Sequence, residues 1–312
     1  MKRLFLLMAV TLVALCGSIA TTKAQAPKRQ NWDGGFSLYG NVESVTITGY
    51  ELQDKFGEVI RGDVQGKYKY CFNNAGDVIE YAEYNSDGSL KRKYIYKYDS
   101  SGNKIEDARY NSDGSLDGKS IYKYNSYGKI IEEAYYDPDG SFVGKIIYKY
   151  DSFGKMIEDA RYNSDVSLLW KIIYKYDSSG NEVERALYYS DGSLEWKYIS
   201  KYDSFGNKIE HAEYDPDGSF VGKIIYKYDS SGNEVERAWY NSDGSLEWKC
   251  ISKYDSFGNM VEWAKYDSAG SLDRKFIYKY DSSRNIIEVT GYKSDALIPM
   301  NQTEVKIVYR NE

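Results

Sequence analysis

The sequence predicts an all-β fold, an antiparallel meander of β-hairpins with a 26-residue period and two strands per repeat. Three observations predict it: one tyrosine recurs every 26 residues, a second turn follows each such tyrosine 12 residues later, and apolar and polar residues alternate between the turns. The recurring tyrosines are Tyr98, Tyr124, Tyr150, Tyr176, Tyr202, Tyr228, Tyr254 and Tyr280, with Phe72 one period earlier.

The chain begins with a predicted secretory signal peptide over residues 1–26. A basic start at residues 2–3 precedes an apolar run over residues 4–17, and residues 24–26 read AQA, which fits the small-x-small cleavage pattern. Lipidation at Cys16 is the alternative, although Leu15 is larger than the residue usual before a lipid-attachment cysteine. No later stretch is apolar enough to span a bilayer, so we expect no transmembrane segment and an exported protein, periplasmic or at the cell surface.

Three further segments follow the signal peptide. Residues 27–66, which include the strand-like NVESVTITGY, are predicted to cap the N-terminal edge of the sheet. Residues 67–292 hold about nine hairpin copies, and residues 293–312 supply a C-terminal capping strand. Segment 174–195 is nearly identical to 226–247, which indicates duplication of paired copies.

The turns DSSG, NSDG and DPDG predict type I turns whose fourth residue is left-handed, the hairpin with a G1 bulge. Pro138 lies where φ must be near −65°, and Gly140 lies where φ is positive. Val166 and Arg284 replace the glycine in two copies, so those turns are predicted to be strained or altered.

Alternation along these strands sorts side chains onto two faces. We call the face of Tyr122 and Tyr124 the tyrosine face, and we expect it to be the more buried and to hold Ala134, Tyr136 and a Glu132 that faces Tyr122. The opposite surface, the lysine face of Lys119, Ile121 and Lys123, is predicted to be wet. The residues that vary between copies are expected to join the lysine face.

Twisted sheets of more than about ten strands curl or split, so the meander is expected to coil into a spiral or shell with tyrosines inward. An extended single sheet that is wet on both sides is the alternative. A propeller of 52-residue blades is a third possibility, suggested by the paired duplication.

The phrase Y-x-Y-D-x-x-G-N, as in Tyr96, Tyr98, Asp99, Gly102 and Asn103, resembles the YD repeats of the Rhs family. That resemblance covers residues 67–292 and implies β-sheet spirals and shells of cell-surface proteins. The alternating DGS turns and tyrosine-rich strands are also similar to the bacterial variant of MORN repeats, which are hairpin scaffolds. Because about 20 residues follow the last copy, no toxin role is inferred from the family.

Composition argues against several kinds of chemistry. The formal net charge is −6, which gives no encouragement to nucleic-acid binding. Cys71 and Cys250 are predicted to remain reduced thiols on opposite faces, and His211, the single histidine, is read as a surface residue. Histidine and cysteine do not cluster, and the turns offer too few oxygens for calcium, so no metal, cofactor or catalytic residue is assigned.

Binding remains the open function. Repeat scaffolds place partner-specific residues at positions that vary between copies, and Tyr135, Leu187, Trp239 and Trp263 are predicted to form an exposed, ligand-binding aromatic and apolar surface. We therefore expect an exported bacterial scaffold or adhesion module that binds an envelope protein or a glycan. A carbohydrate-binding module that uses the aromatic rows is the alternative, and an enzyme on a β scaffold is a further one.

Overall fold

The computed structural model describes residues 37–294 and 299–310, which form strands joined by short turns. The segment predicted as a signal peptide and the start of the predicted N-terminal cap lie outside the described residues. The 20 strands are β1 (Val42–Lys55), β2 (Glu58–Phe72), β3 (Val78–Tyr84), β4 (Leu90–Tyr98), β5 (Lys104–Asn111), β6 (Leu116–Tyr124), β7 (Ile130–Tyr136), β8 (Phe142–Tyr150), β9 (Met156–Asn163), β10 (Leu168–Tyr176), β11 (Glu182–Tyr189), β12 (Leu194–Tyr202), β13 (Lys208–Tyr214), β14 (Phe220–Tyr228), β15 (Glu234–Asn241), β16 (Leu246–Tyr254), β17 (Met260–Asp267), β18 (Leu272–Tyr280), β19 (Ile286–Lys293) and β20 (Asn301–Tyr309).

The turns have the predicted hairpin geometry. In residues 99–103 the Gly102 amide donates to the Asp99 carbonyl at 3.1 Å, and the Asp99 amide donates to the Asn103 carbonyl at 2.9 Å. The glycine takes a φ of +81°. Val166 and Arg284 adopt the same left-handed conformation, with φ of +66° and +68°, so the two turns keep their shape and carry strain.

Each strand pairs antiparallel with its neighbours in the chain, and β1 pairs with both β2 and β20. The sheet therefore closes on itself. The antiparallel hairpin meander is confirmed, whereas the predicted spiral or shell, the extended single sheet and the propeller are wrong. The terminal segments pair with each other across β1 and β20, and this pairing removes the free edges that a spiral would keep.

The register differs from the predicted one in every second strand. Lys123 faces Glu132, Ile121 faces Ala134 and Lys119 faces Tyr136. The prediction that Glu132 faces Tyr122 on the tyrosine face is therefore wrong, because Glu132, Ala134 and Tyr136 belong to the lysine face. The bulge beside each turn adds one residue to the strand, and a shift of one residue moves every later side chain to the opposite face.

The corrected lysine face is a regular ladder of ion pairs. From Lys97 onward each repeat places a glutamate across from a lysine, with Nζ–Oε1 distances from 2.6 to 2.8 Å in these eight copies. These lysine side chains remain 56–64% exposed, whereas the alanines beneath them, such as Ala108 and Ala134, are buried. Lysine stems cover the alanines while their ammonium groups stay in water.

The larger apolar core lies on the tyrosine face near the closure. Val45 and Ile47 of β1 are fully buried, and Phe276, Tyr278 and Val305 belong to the same cluster. Because side chains converge on the concave side of a closed sheet, and because the buried cluster lies on the tyrosine face, we assign that face to the inside.

Cys71 and Cys250 form no disulfide among the described residues, and they lie on opposite faces, as predicted. Burial raises the pKa of the Cys71 thiol, with Lys69 opposing the shift. Within residues 37–294 and 299–310 there is no helix long and apolar enough to cross a membrane.

Candidate functional site

The tyrosine face carries most of the variation between copies. On the lysine face the repeats keep lysine, isoleucine and lysine on one strand and glutamate, alanine and tyrosine on the other, with Lys69, Cys71 and Thr290 as exceptions. On the tyrosine face the six positions equivalent to 92, 94, 96, 104, 107 and 109 differ between copies. One of these rows, read along the chain, is Tyr81, Asp107, Glu133, Asp159, Arg185, His211, Arg237, Trp263 and Val289.

One tyrosine per copy stays constant on this face because its hydroxyl has a structural role. Tyr124 Oη donates to the Lys104 carbonyl at 2.7 Å, and Tyr150 Oη donates to the Ile130 carbonyl at 2.8 Å. Each hydroxyl reaches the carbonyl of the first residue of the preceding strand, beside the bulge. The recurrence of this tyrosine therefore follows from hydrogen bonding to the backbone and is not evidence of a site.

The acidic part of the variable row is hydrogen-bonded to tyrosines. Tyr122 Oη donates to Asp107 at 2.5 Å, Tyr148 Oη donates to Glu133 at 3.2 Å, and Tyr174 Oη donates to Asp159 at 3.1 Å. Burial, together with Asp107, raises the pKa of Tyr122, and burial also raises the pKa of Asp159. Tyrosine–carboxylate pairs therefore exist on this face, with the variable carboxylates in place of the constant glutamate.

The basic part of the row lies on β11, β13 and β15. Arg185 forms a two-point ion pair with Glu182, at 2.9 and 3.0 Å, and its guanidinium lies 5.2 Å from the centre of the Tyr174 ring. Arg237 repeats the arrangement with Glu234, at 2.8 and 3.1 Å. Between them, on β13, lie Lys208 and His211.

His211 is not the surface residue that was predicted. Its ring stacks on Tyr198 with centres 4.8 Å apart, and its Nδ1 is hydrogen-bonded to Ser200 Oγ at 3.0 Å. Burial, followed by the charges of Lys208 and Arg185, lowers the pKa of His211 to about 4. The imidazole is therefore neutral at pH 7.

The four residues predicted to bind a ligand lie on the tyrosine face and not on the lysine face. Trp263 is 3% exposed and packs on Phe276, so its predicted exposure is wrong. Trp239 is half-buried, lies against Gly222, faces Trp248 and donates from Nε1 to Asn241 at 3.2 Å.

The other two predicted residues keep partial exposure. Tyr135 lies beneath the Arg161 guanidinium, 4.8 Å from its ring centre, and burial raises its pKa to about 12. Leu187 lies between Ile172 and Trp196 of the adjacent strands. The four residues lie on four strands, β7, β11, β15 and β17, so the structure does not bring all of them into one site.

An open depression of about 590 Å³ lies on the tyrosine face beside the turns that contain Gly128 and Gly154. Its lining includes Tyr122, Tyr150 and Lys104, and the Lys104 ammonium lies 4.6 Å from the Tyr122 ring centre. Tyrosine rings and ammonium groups together suit a polar ligand with flat apolar surfaces.

Ser200 and His211 are the nearest approach to a nucleophile with a base. In serine hydrolases a carboxylate orients the imidazole, whereas here the charges that lower the His211 pKa come from Lys208 and Arg185. Ser200 is also 5% exposed. Across the described part of the chain, no group of three or more histidine, cysteine and acidic side chains is arranged to hold a metal ion.

Sequence reasoning missed the basic part of the row, although a signal for it exists. Positions three apart, such as Lys104 and Asp107, share a face because the bulge lies between them. The equivalent positions carry opposite charges at Glu182 and Arg185 as well, so the two basic residues at 208 and 211 stand out in the printed sequence.

No family model matches the chain, and no curated protein matches it. Solved structures do. A TcdB2–TccC3 crystal structure aligns over 78% of this chain at 14% identity with a TM-score of 0.34, and the match spans 15% of that chain's length. A porin-like protein from Bacteroides uniformis ATCC 8492 aligns over 86% of this chain and 96% of its own at 9% identity, with a TM-score of 0.35. At these scores the likenesses assign neither family nor function.

Proposed function

We propose that this chain is an exported, non-enzymatic binding scaffold of a bacterial envelope, periplasmic or at the cell surface, whose ligand contacts the tyrosine face. The observation that carries the proposal is the division between faces, with a constant lysine face and a tyrosine face that varies from copy to copy. A repeat scaffold needs constant positions for folding, and its variable positions are available for a partner. Export rests on the basic and apolar start of the sequence.

The ligand class that we favour is an envelope protein or a glycan. Tryptophans on the tyrosine face, Trp170, Trp196 and Trp248, share one repeat position that is glycine in three other copies. Rings set beside glycines leave flat apolar surfaces on which sugar rings stack, and this supports the carbohydrate-binding alternative. We also propose that the repeats are of the YD type, on the strength of the Y-x-Y-D-x-x-G-N phrase.

Binding of the full chain to a glycan array and to cross-linked envelope fractions tests the proposal. Trp196→Ala and Tyr135→Ala, both on the tyrosine face, are expected to weaken binding about tenfold. Lys149→Gln and Lys175→Gln are matched changes on the lysine face and are expected to leave binding unchanged. Equal loss from both sets, or loss from the lysine-face set alone, would overturn the assignment.

A further inference from the structure

In several copies an ion pair forms within the strand that follows the turn of the DSSG type. It joins the first residue of that strand to the residue three positions later. Lys104 Nζ lies 3.3 Å from Asp107, and the glutamates 182 and 234 each hold the arginine three residues later. In β13 the same two positions hold Lys208 and His211, which are both basic. Among the described copies whose first position is charged, this one alone has no opposite charge at the fourth position, because His211 is neutral at pH 7.

The neighbours of Lys208 and His211 leave the charge of Lys208 uncompensated. Arg185 on β11 and Arg237 on β15 flank them, but each arginine is held in two hydrogen bonds by its own glutamate, Glu182 or Glu234, so the two ion pairs add no net charge. Burial and the two arginines lower the pKa of Lys208 despite Glu182. The Lys208 ammonium lies 5.8 Å from the centre of the Tyr202 ring. In the described structure it has no carboxylate partner at ion-pairing distance.

The surroundings also leave a donor for a ligand. Ser200 occupies a position that is tyrosine in seven copies, so His211 has a small hydroxyl side chain beside it in place of an aromatic ring. Because Ser200 engages Nδ1, the Nε2 atom of His211 is the nitrogen left for a ligand. Tyr198 and Tyr202 supply aromatic walls on β12, and Ile224 faces His211 from β14.

We propose that Lys208, His211 and Arg185 bind the oxyanion group, carboxylate or phosphate, of a ligand on the tyrosine face. The inference rests on the proposed use of that face for binding. An anion supplies the charge that the carboxylate supplies in the other copies, and ammonium–oxyanion hydrogen bonds are among the stronger kinds. The flanking tyrosines suit the ring of an acidic sugar.

The chain has a single histidine, so proton NMR gives one set of imidazole resonances, and the Cε1–H resonance is the probe. Glucuronate, inorganic phosphate and neutral glucose are titrated at pH 7 and pH 5 into the full chain. A saturable shift with either anion, and a His211 pKa that rises from its value near 4, supports the proposal, because a nearby negative charge stabilises the imidazolium. A response to glucuronate alone identifies a carboxylate site, and a response to phosphate alone a phosphoryl site.

Lys208→Gln is expected to weaken anion binding about tenfold. Lys208→Arg keeps the charge and is expected to retain binding, and Lys97→Gln on the lysine face serves as the matched control. Absence of a saturable shift with both anions, or an equal shift with glucose, would overturn the anion site. If neither anion binds but the chain binds a glycan or an envelope fraction, the anion site is wrong and the proposed function still holds. If an anion binds but no glycan or envelope fraction does, the anion site holds and the proposed function is wrong.

Discussion

At the scale of single residues, backbone conformation explains both what is constant and what is strained. The glycine of each turn takes a positive φ, and Val166 takes +66° with a β-branched side chain. Left-handed conformation costs an L-residue roughly 1–2 kcal/mol. Substitution by glycine removes this cost, but part of the gain in stability is lost because glycine increases the conformational entropy of the unfolded chain.

Val166→Gly is therefore expected to raise the free energy of unfolding by roughly 0.5–1 kcal/mol. Urea titration followed by circular dichroism measures it. The reverse change in an equivalent turn, Gly114→Val, is the control and is expected to destabilise. Arg284→Gly should change little, because Arg284 is unbranched at Cβ and its guanidinium lies 5.0 Å from the Phe257 ring centre. Stabilisation by Arg284→Gly as large as that by Val166→Gly would contradict this account.

His211 predicts a pH dependence of stability. Its folded pKa of about 4 lies below the ordinary value of 6.5, so the unfolded chain binds a proton first as the pH falls. The stability that the neutral imidazole contributes is fully present above about pH 6.5, and it is lost as the pH falls towards 4. With solvent screening of a partly exposed site, the loss is about 1–2 kcal/mol.

The measurement compares the free energy of unfolding of the wild-type chain and His211→Gln at pH 7 and pH 4. Between pH 7 and pH 4 the wild-type chain is expected to lose about 1–2 kcal/mol more stability than the variant. The carboxylates titrate equally in both chains, so their contribution cancels. Equal losses would show that His211 titrates normally.

At the scale of elements, the turn of residues 281–285 differs from its equivalents. Asn285 is fully buried: its Oδ1 accepts from the Tyr39 amide at 2.6 Å, and its Nδ2 donates to the Tyr39 carbonyl and to Tyr309 Oη. In an ordinary turn the equivalent Asn259 donates within its own loop, to Asp255 at 2.9 Å. One side chain thus joins the last repeat to the segment before β1 and to β20.

Asn285→Ala is expected to lower the free energy of unfolding by about 2–4 kcal/mol, because it leaves buried backbone groups unsatisfied. Asn259→Ala, the matched change, should cost about 1 kcal/mol or less. Thermal unfolding monitored by tyrosine fluorescence measures both. Similar losses would mean that Asn285 does not hold the terminal strands.

The elements also show what the sequence can predict. Hairpin positions, turn type and the period follow from local chemistry, in which an aspartate, a proline or a glycine has a defined backbone role. The predicted assignment of residues to faces is wrong in every second strand. The bulge residue next to each turn shifts a pattern whose period is two, so Glu132 lies on the lysine face and Trp263 on the tyrosine face. The basic part of the variable row depends on that register and was missed for the same reason.

At the scale of the whole molecule, closure is the feature that local sequence could not predict. The pairing of β1 with β20 joins residues that are more than 250 positions apart, such as Ile47 and Val305, and no turn specifies it. Closure depends on accumulated twist and curvature over many hairpins and on the apolar cluster at the junction.

Deletion of residues 177–202 removes one period and joins Tyr176 to Asp203, in the sequence context that exists at every repeat boundary. The shortened chain is expected to stay folded, with two strands fewer and the same oligomeric state as the full chain. Removal of residues 295–312, which include β20, is expected to cause aggregation, because it exposes the edges of β1 and β19. Size-exclusion chromatography and circular dichroism distinguish the two. A soluble, cooperative truncated chain would show that closure is dispensable.

The constancy of the lysine face has a genetic consequence. Copies with the same outer surface include segments as alike as 174–195 and 226–247, and genes that encode such similar repeats misalign during replication. Gain or loss of whole copies then changes the circumference in steps of one hairpin and leaves every outer contact in register. The inner surface, in contrast, acquires a new order of side chains with each such event, so recombination as well as point mutation changes the residues that this surface presents.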